Sequence, residues 1–443
     1  MNVPMLDETR LVPAGRRNIR ARGGTRVRGT APAGHRPARI RSVPLLLWCA
    51  VLAILGCTPI AAAESPAPQD NWSKVGFWAG ERFLVNGAPQ GYPATPADYW
   101  AERDLGMWTP ELWDLLRRNH VPIYFHLRYG RDFGALPPGA PVRDDALPII
   151  RQANALGIPV FGWVAVPYEA GYWGTQDNAP DQLAATLALE GWVRDNRIDL
   201  AGIAYDMEPP LSTINALTAG EFELGALARR IDPAAQRRAI ERHEAVYDYA
   251  RRHFARVIGA PVPWALDDLV DGDLALQNAL DLWGLPDGPQ ALHFQVYRST
   301  AEAIGGDPGP ALIAHYLRQA QQALGPVRGQ LTLGVAGEGA YRALPALVDD
   351  VRLARAMGAE SIPIYSLETS VAAYGVGGVE QLVRAGENRL DAAGVQAAQQ
   401  PTPPLRHYLS IMNSLDAAAT AATPVVTAAA GVPQRPNQWK APL

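Results

Sequence analysis

Residues 200 to 209 read LAGIAYDMEP, and the order of their side chains sets the reading of the whole chain. Ile203, Tyr205 and Met207 are large and apolar, whereas Gly202, Ala204, Asp206 and Glu208 between them are small or acidic. That alternation has the period of two expected of a strand with unlike faces. The bulky face suits packing against helices, and the small face suits a crowded interior. Pro209 and Pro210 end the run, so both acids stand at the strand's exit.

Similar runs recur along the chain. KVGFWAG, PIYFHLRYG and IPVFGWVAVP precede this one, and PVPWALDD, ALHFQVYRS, QLTLGVAGEG and SIPIYSLETS follow it. Amphipathic helical patterns stand between them. One opens at TPELWDLLRRN, where Thr109 can cap and Pro110 takes the first helical position. The longest begins at Pro233 and places Ile240, Tyr247, Ala250, Phe254 and Val257 on one face. Strand and helix alternating eight times over about 310 residues predict a single (β/α)8 TIM barrel, an α/β fold, rather than a doubly wound sheet. The barrel is placed at residues 72–388.

The two ends differ from this middle. Residues 1–63 hold a run of arginines from Arg10 to Arg41 and then PLLLWCAVLAILGCTPIAAAES, the order of a secretory signal with an exit after Ala63. ILGC resembles a bacterial lipobox, which would make Cys57 a lipidated terminus; an uncleaved anchor is the other reading of the apolar run. The expected location is extracytoplasmic: secreted, periplasmic or lipid-anchored. A membrane enters only through such an anchor or an uncleaved signal. Cys49 and Cys57 are the chain's two cysteines and both lie here, which leaves the barrel without a disulfide or thiol nucleophile. Residues 389–443 are rich in Ala, Thr and Pro without a clear period, and are expected to be a disordered tail. A net charge of -4 over 443 residues argues against a nucleic-acid partner. Nothing in the sequence fixes an oligomeric state.

In a barrel, alternate strand residues point inward and sites form where the strands end. The same parity puts Trp78 on the first strand, His126 and Arg128 on the second and Trp163 on the third in the interior. Asp206 and Glu208 follow on the fourth and Asp267 on the fifth. His293, Gln295 and Tyr297 lie on the sixth, and Glu338 on the seventh. On the eighth the pattern leaves Tyr365 and Glu368 undecided. The loops add Tyr92, Tyr99, Trp100, Tyr168, Tyr172 and Trp173, and residues 209–232 make a segment long enough for a lid. Acids on the floor with Trp and Tyr around them suit a carbohydrate, whose ring faces stack on aromatics while its hydroxyls bond to carboxylates and amides.

The fourth strand resembles that of family 18 glycoside hydrolases, the chitinase type, which ends in D-G-x-D-x-D-x-E. Gly202, Asp206 and Glu208 keep that pattern, while Ala201 and Ala204 replace its first two acids. Tyr297 in QVYRS stands where that family carries a Tyr that holds the substrate's acetamido group. The resemblance implies Glu208 as general acid with Asp206 tuning it. The chain is also similar to the large retaining clan of barrel glycosidases, with an acid/base Glu at the fourth strand and a nucleophilic Glu at the seventh. MEP at Met207 to Pro209 and AGEGAY around Glu338 carry that likeness, which would make Glu338 the nucleophile.

Both resemblances imply hydrolysis of O-glycosidic bonds with Glu208 catalytic; the first adds Asp206 and Tyr297 to the chemistry and the second adds Glu338. Trp78, His126, Arg128, Trp163, Trp173, Asp267 and Gln295 would then contact substrate. Plainer roles stand beside these. A strand-end acid often caps a loop or pairs with an Arg, and His126 and His293 are more simply packed polar residues. No histidine spacing suits a metal; GVGG at Gly375 to Gly378 could bind phosphate but more simply makes a turn, and no cofactor is expected. The alternative function is a non-catalytic, lectin-like carbohydrate-binding barrel.

Overall fold

The computed structural model of the chain describes residues 71–80, 105–128, 146–166, 170–171, 173–210, 213, 230–285 and 287–429. The segment 1–63 with Cys57 and Ala63, the loop aromatics Tyr92, Tyr99, Trp100, Tyr168 and Tyr172, most of 209–232, and the side chain of Arg128 lie outside them.

Among the described residues eight parallel strands close in chain order into a barrel. They are β1 (Val75–Ala79), β2 (Ile123–Arg128), β3 (Val160–Ala165), β4 (Gly202–Met207), β5 (Val257–Pro261), β6 (Ala291–Val296), β7 (Gly329–Gly334) and β8 (Ile362–Tyr365). Closure is made by β1 pairing with β8, Val75 opposite Ile362 through Trp78 opposite Tyr365. Helices alternate with the strands: α1 (Pro110–Arg118), α2 (Ala146–Ala155), α3 (Ala179–Asn196), α4 (Pro233–His253), α5 (Trp264–Asp271), α6 (Ala275–Ala279), α7 (Arg298–Gly305), α8 (Ala311–Leu324), α9 (Leu344–Ala356) and α10 (Leu367–Glu387). The single TIM barrel is therefore the fold.

The parity read on β4 holds. Ile203, Tyr205 and Met207 pack in the large apolar layer between strands and helices, while Ala204 belongs to a separate interior cluster with Trp78, Tyr124, Phe161, Trp163, Ile258 and Ala260. Both layers are close to solvent-free, and burial of large apolar side chains on either side of each strand is what stabilises a parallel barrel. The Thr109 cap also forms: its side chain accepts from Leu112 N, with Pro110 next.

Two expectations are corrected. The fifth strand is VIGAP at Val257–Pro261, and the run PVPWALDD belongs mostly to α5. The helix from Pro233 accordingly ends at His253, with Phe254 as its cap and Val257 already in the barrel. The tail is not disordered throughout, because α11 (Ala392–Ala398) and α12 (Pro403–Ala429) continue the chain. α12 buries Leu405, Tyr408, Met412 and Ala419, a stripe at helical spacing. The Trp264 indole donates to Tyr408 Oη at 2.9 Å, and Thr420 Oγ1 donates to Asp273 at 3.0 Å, so α12 is fastened to α5 and to the α5–α6 turn. Met412→Ala is expected to cost about 2 kcal/mol, the low end for emptying a buried Met site at a helix packed on one side. Urea denaturation checks it; an unchanged midpoint would mean that α12 is dispensable to the barrel.

Candidate functional site at the carboxyl end of the barrel

The site is built from residues at the ends of β4 and β6, with a contribution from the end of β8. β4 carries Asp206 inward and 7% exposed, and Glu208 follows it half-buried at the strand's exit. Gln295 on β6 reaches across β5: its Nε2 donates to the Ala260 carbonyl at 2.8 Å and to Asp206 Oδ1 at 2.5 Å. The same Oδ1 accepts from the Met207 amide at 3.0 Å. Two donors on one oxygen fix the rotamer of Asp206. Burial first, then the neighbouring Tyr205 and Asp206, push the Tyr247 phenol well above its usual value.

Two residues beyond Gln295, Tyr297 stacks on Tyr365 from the end of β8, with ring centroids 5.6 Å apart and planes at 20°. Both rings are only partly buried. Space for them depends on Gly334 at the end of β7, where a Cβ would sit 3.1 Å from the Tyr297 ring and 3.0 Å from the Tyr365 carbonyl oxygen. Immediately after Tyr297, Arg298 donates to both oxygens of Asp307 at 2.6 Å and to Asp350 Oδ2 at 2.9 Å. Tyr341 also donates to Asp350, so the start of α7 is tied to α9 and the backbone carrying Tyr297 is held rigid. The eighth strand, left undecided by its sequence, therefore turns Tyr365 toward the site.

Glu368 is the second residue the pattern did not place. It lies in the first turn of α10, 4% exposed, and accepts from the Gly80 amide at 2.6 Å. Its carboxylate thus caps the end of β1 and complements the helix N-terminus. The capping box of Ser366 and Thr369 sets the helix start that directs it there.

The other candidates divide. Trp78 and Trp163 are each 3% exposed and pack edge to face at 5.1 Å, and His126 is fully buried against Trp163 at 4.2 Å. These three fill the barrel beneath the mouth, so the site rests on them. His293 is also fully buried in the interior, and burial lowers its pKa to about 3. Asp267 is corrected: it lies on α5, not on a barrel strand, and accepts from Tyr316 Oη at 3.2 Å in the packing of α5 against α8. Glu338 is exposed and stands just before a one-turn helix at Gly339–Tyr341, with no side-chain cap bond to it. Trp173 is half-buried, and its indole N–H donates to the Pro209 carbonyl at 2.6 Å.

Among the described residues one group of carboxylates has spacing suited to a cation: Asp268, Asp273 and Asp416 lie within 4.8 Å of one another. Asp268 accepts from the Leu276 and Gln277 amides and Asp273 from the Ala275 amide, which makes both caps of α6. Burial pushes the Asp268 carboxyl well up, the two amide bonds oppose this, and the charges of Asp416 and Asp273 add to it. This group joins α12 to α5 and α6 and takes no part in the mouth.

No family model and no curated protein matches the chain. Its barrel is similar to those of several glycoside hydrolases of known structure. A family 18 chitinase from Pseudoalteromonas aurantia aligns at 10% identity and TM-score 0.39, covering 70% of this chain and 100% of the other. A family 5 xyloglucan-specific endo-β-1,4-glucanase from a metagenomic library aligns at 14% and 0.44, covering 71% and 97%. A family 1 β-glucosidase from Thermotoga maritima aligns at 11% and 0.44, covering 72% and 98%. Likeness at this depth belongs to the barrel and says nothing of which bond is cleaved.

Proposed function

We propose that this chain is an exported glycoside hydrolase, with Glu208 as the general acid and Asp206 as the group that tunes and steadies it. The observation that carries the reading is the exit of β4. Asp206 is locked by Gln295 at 2.5 Å, Glu208 stands two residues on, and the Tyr297–Tyr365 pair stands at the ends of β6 and β8. In the step proposed, Glu208 gives its proton to the glycosidic oxygen as the C1–O bond breaks, and its carboxylate then takes a proton from the water that adds to C1.

Of the two arrangements the sequence allows, the geometry supports the chitinase-like one better. Glu338 is exposed on its turn, whereas Gln295 bonds Asp206 across β5 and Tyr297 follows two residues after Gln295. An N-acetylated sugar is therefore the first substrate class to test, its acetamido oxygen attacking C1 while Asp206 and Tyr297 hold the group. Ala201 and Ala204, in place of the first two acids of the motif, keep the lectin-like reading as the alternative.

Fluorogenic 4-methylumbelliferyl glycosides of N-acetylglucosamine, its dimer, glucose, mannose and xylose separate these readings. Release confined to the N-acetyl series supports the proposal, and release confined to the plain sugars moves it to the two-carboxylate arrangement. Calorimetric binding of N-acetylglucosamine oligomers without release from any member would sink the enzyme in favour of the binding barrel.

A further inference from the structure

The loop after β3 grips the end of β4 on both sides of Glu208. The Gly174 amide donates to the Asp206 carbonyl at 2.9 Å, and the Trp173 indole N–H donates to the Pro209 carbonyl at 2.6 Å. Met207 and Glu208 lie between those two carbonyls, so their backbone is pinned at either end. Toward β5 the exit keeps one bond, from the Val262 amide to the Met207 carbonyl at 3.3 Å, and this pair of donors holds it from the β3 side, where the two prolines offer no amide of their own.

The described residues of that loop are themselves tied down. Asn178 Nδ2 donates to the carbonyls of Ala170 and Trp173 at 2.8 and 2.6 Å, and its Oδ1 accepts from the Thr175 amide at 2.9 Å. Behind it, His243 Nε2 meets the Thr175 carbonyl at 2.7 Å, Nδ1 lies 2.8 Å from the Gln182 carboxamide, and the ring stacks on Trp283 at 4.3 Å and 11°. Gly174 leaves no room to slide, since a Cβ there would meet the Asp206 carbonyl oxygen at 3.2 Å and Gln182 Nε2 at 3.1 Å. An aromatic on a polar loop near a sugar site is ordinarily read as a stacking platform. Here the polar edge of the indole is turned to the backbone carbonyl one residue past the acid.

We infer that Trp173 is a positioning residue, whose N–H bond to Pro209 sets the direction of the Glu208 carboxyl. This rests on the reading of Glu208 as proton donor, and the test separates the two. Trp173→Phe keeps a ring and deletes the donor. Benzothienylalanine incorporated at position 173 keeps the indole's shape without the N–H, and serves if the Phe variant folds poorly. On the fluorogenic substrate released fastest, kcat is expected to fall about tenfold with KM within twofold, as misplacement of a reacting group does. In protein with 13C-labelled glutamate carboxyls, the Glu208 signal, assigned by its loss in Glu208→Gln, is expected to titrate at a displaced midpoint in both Trp173 variants. A raised KM with unchanged kcat would assign Trp173 to the sugar and overturn the inference, as would an unmoved Glu208 midpoint. If Glu208→Gln turns over like the parent, the proton-donor reading falls, and the midpoint alone still decides whether Trp173 sets that carboxyl.

Discussion

Glu208→Gln is expected to lower kcat/KM by about 10^3-fold while leaving oligosaccharide binding within a fewfold of the parent. General acid catalysis contributes 10^2 to 10^4 in rate, and Gln preserves size and hydrogen bonding while removing the proton that the leaving oxygen needs. The loss should be greatest on oligosaccharides, whose leaving alcohols are poor. It should shrink on methylumbelliferyl glycosides, whose leaving group departs with less protonation. The basic limb of the pH–rate profile, which reports ionisation of the acid, should disappear in the variant. A uniform loss across leaving groups with that limb intact would mean that Glu208 organises the mouth without donating a proton. Asp206→Asn is expected to act differently, because Gln295 Nε2 would then face an amide 2.5 Å away in place of a carboxylate oxygen. If Asn turns its nitrogen toward Gln295 the two donors repel, so Asp206→Asn should disturb kcat and thermal stability together.

The barrel was legible because its strands contrast so sharply from face to face. On β4 the residues that look outward are Ile203, Tyr205 and Met207 and those that look inward are Gly202, Ala204 and Asp206, a difference in size that no other period explains. Where that contrast is absent the reading slipped. VIGAP on β5 is short and ends in Gly259, Ala260 and Pro261 with no large-small alternation, and the apolar run that follows it belongs to a helix starting beside Pro263, so Asp267 lies on that helix and not on the strand. The stripe Leu405, Tyr408, Met412 and Ala419 on α12 is diluted among alanines and threonines and hidden by composition. At the site, Asp206 and Glu208 could be read from local pattern alone. Their supports could not: Gln295 lies 89 positions from Asp206, and Trp173 lies 36 from Pro209. Such bonds are products of closure, and only the closed barrel specifies them. Glu368 was undecidable for a different reason, since its direction depends on where α10 begins, which is set by the Ser366 cap and not by strand parity.

Acid should unfold this barrel earlier than its carboxylates alone would require, and His293 is a principal cause. Burial holds the folded pKa of His293 near 3 and that of His243 near 4, against an ordinary value of 6.5. Above pH 6.5 both rings are neutral in the folded and unfolded chain, and they add no pH dependence. Below it the unfolded chain takes up protons that the folded chain refuses, so stability is lost as the pH falls from 6.5 toward those lowered values. The loss per group is about 1.4 kcal/mol for each unit below 6.5, or about 4 kcal/mol for the pair between pH 7 and pH 5 as an upper figure. Buried carboxyls work the other way: burial raises those of Asp268 and Asp350, so they gain protons more readily folded than unfolded. Because these are common to parent and variant, the difference on His293→Leu isolates the histidine. Leu nearly matches its volume among Tyr124 and the barrel's apolar interior, and it does not titrate. The unfolding free energy of His293→Leu, from urea titrations at pH 7, 6 and 5, should fall less steeply than the parent's by about 1.4 kcal/mol per unit below pH 6.5. Parallel curves would show that His293 finds a way to charge inside the folded barrel. That would place a proton, or a partner for one, directly beneath Gln295 and Asp206, and the mouth's acids would then be tuned from below as well as from the side.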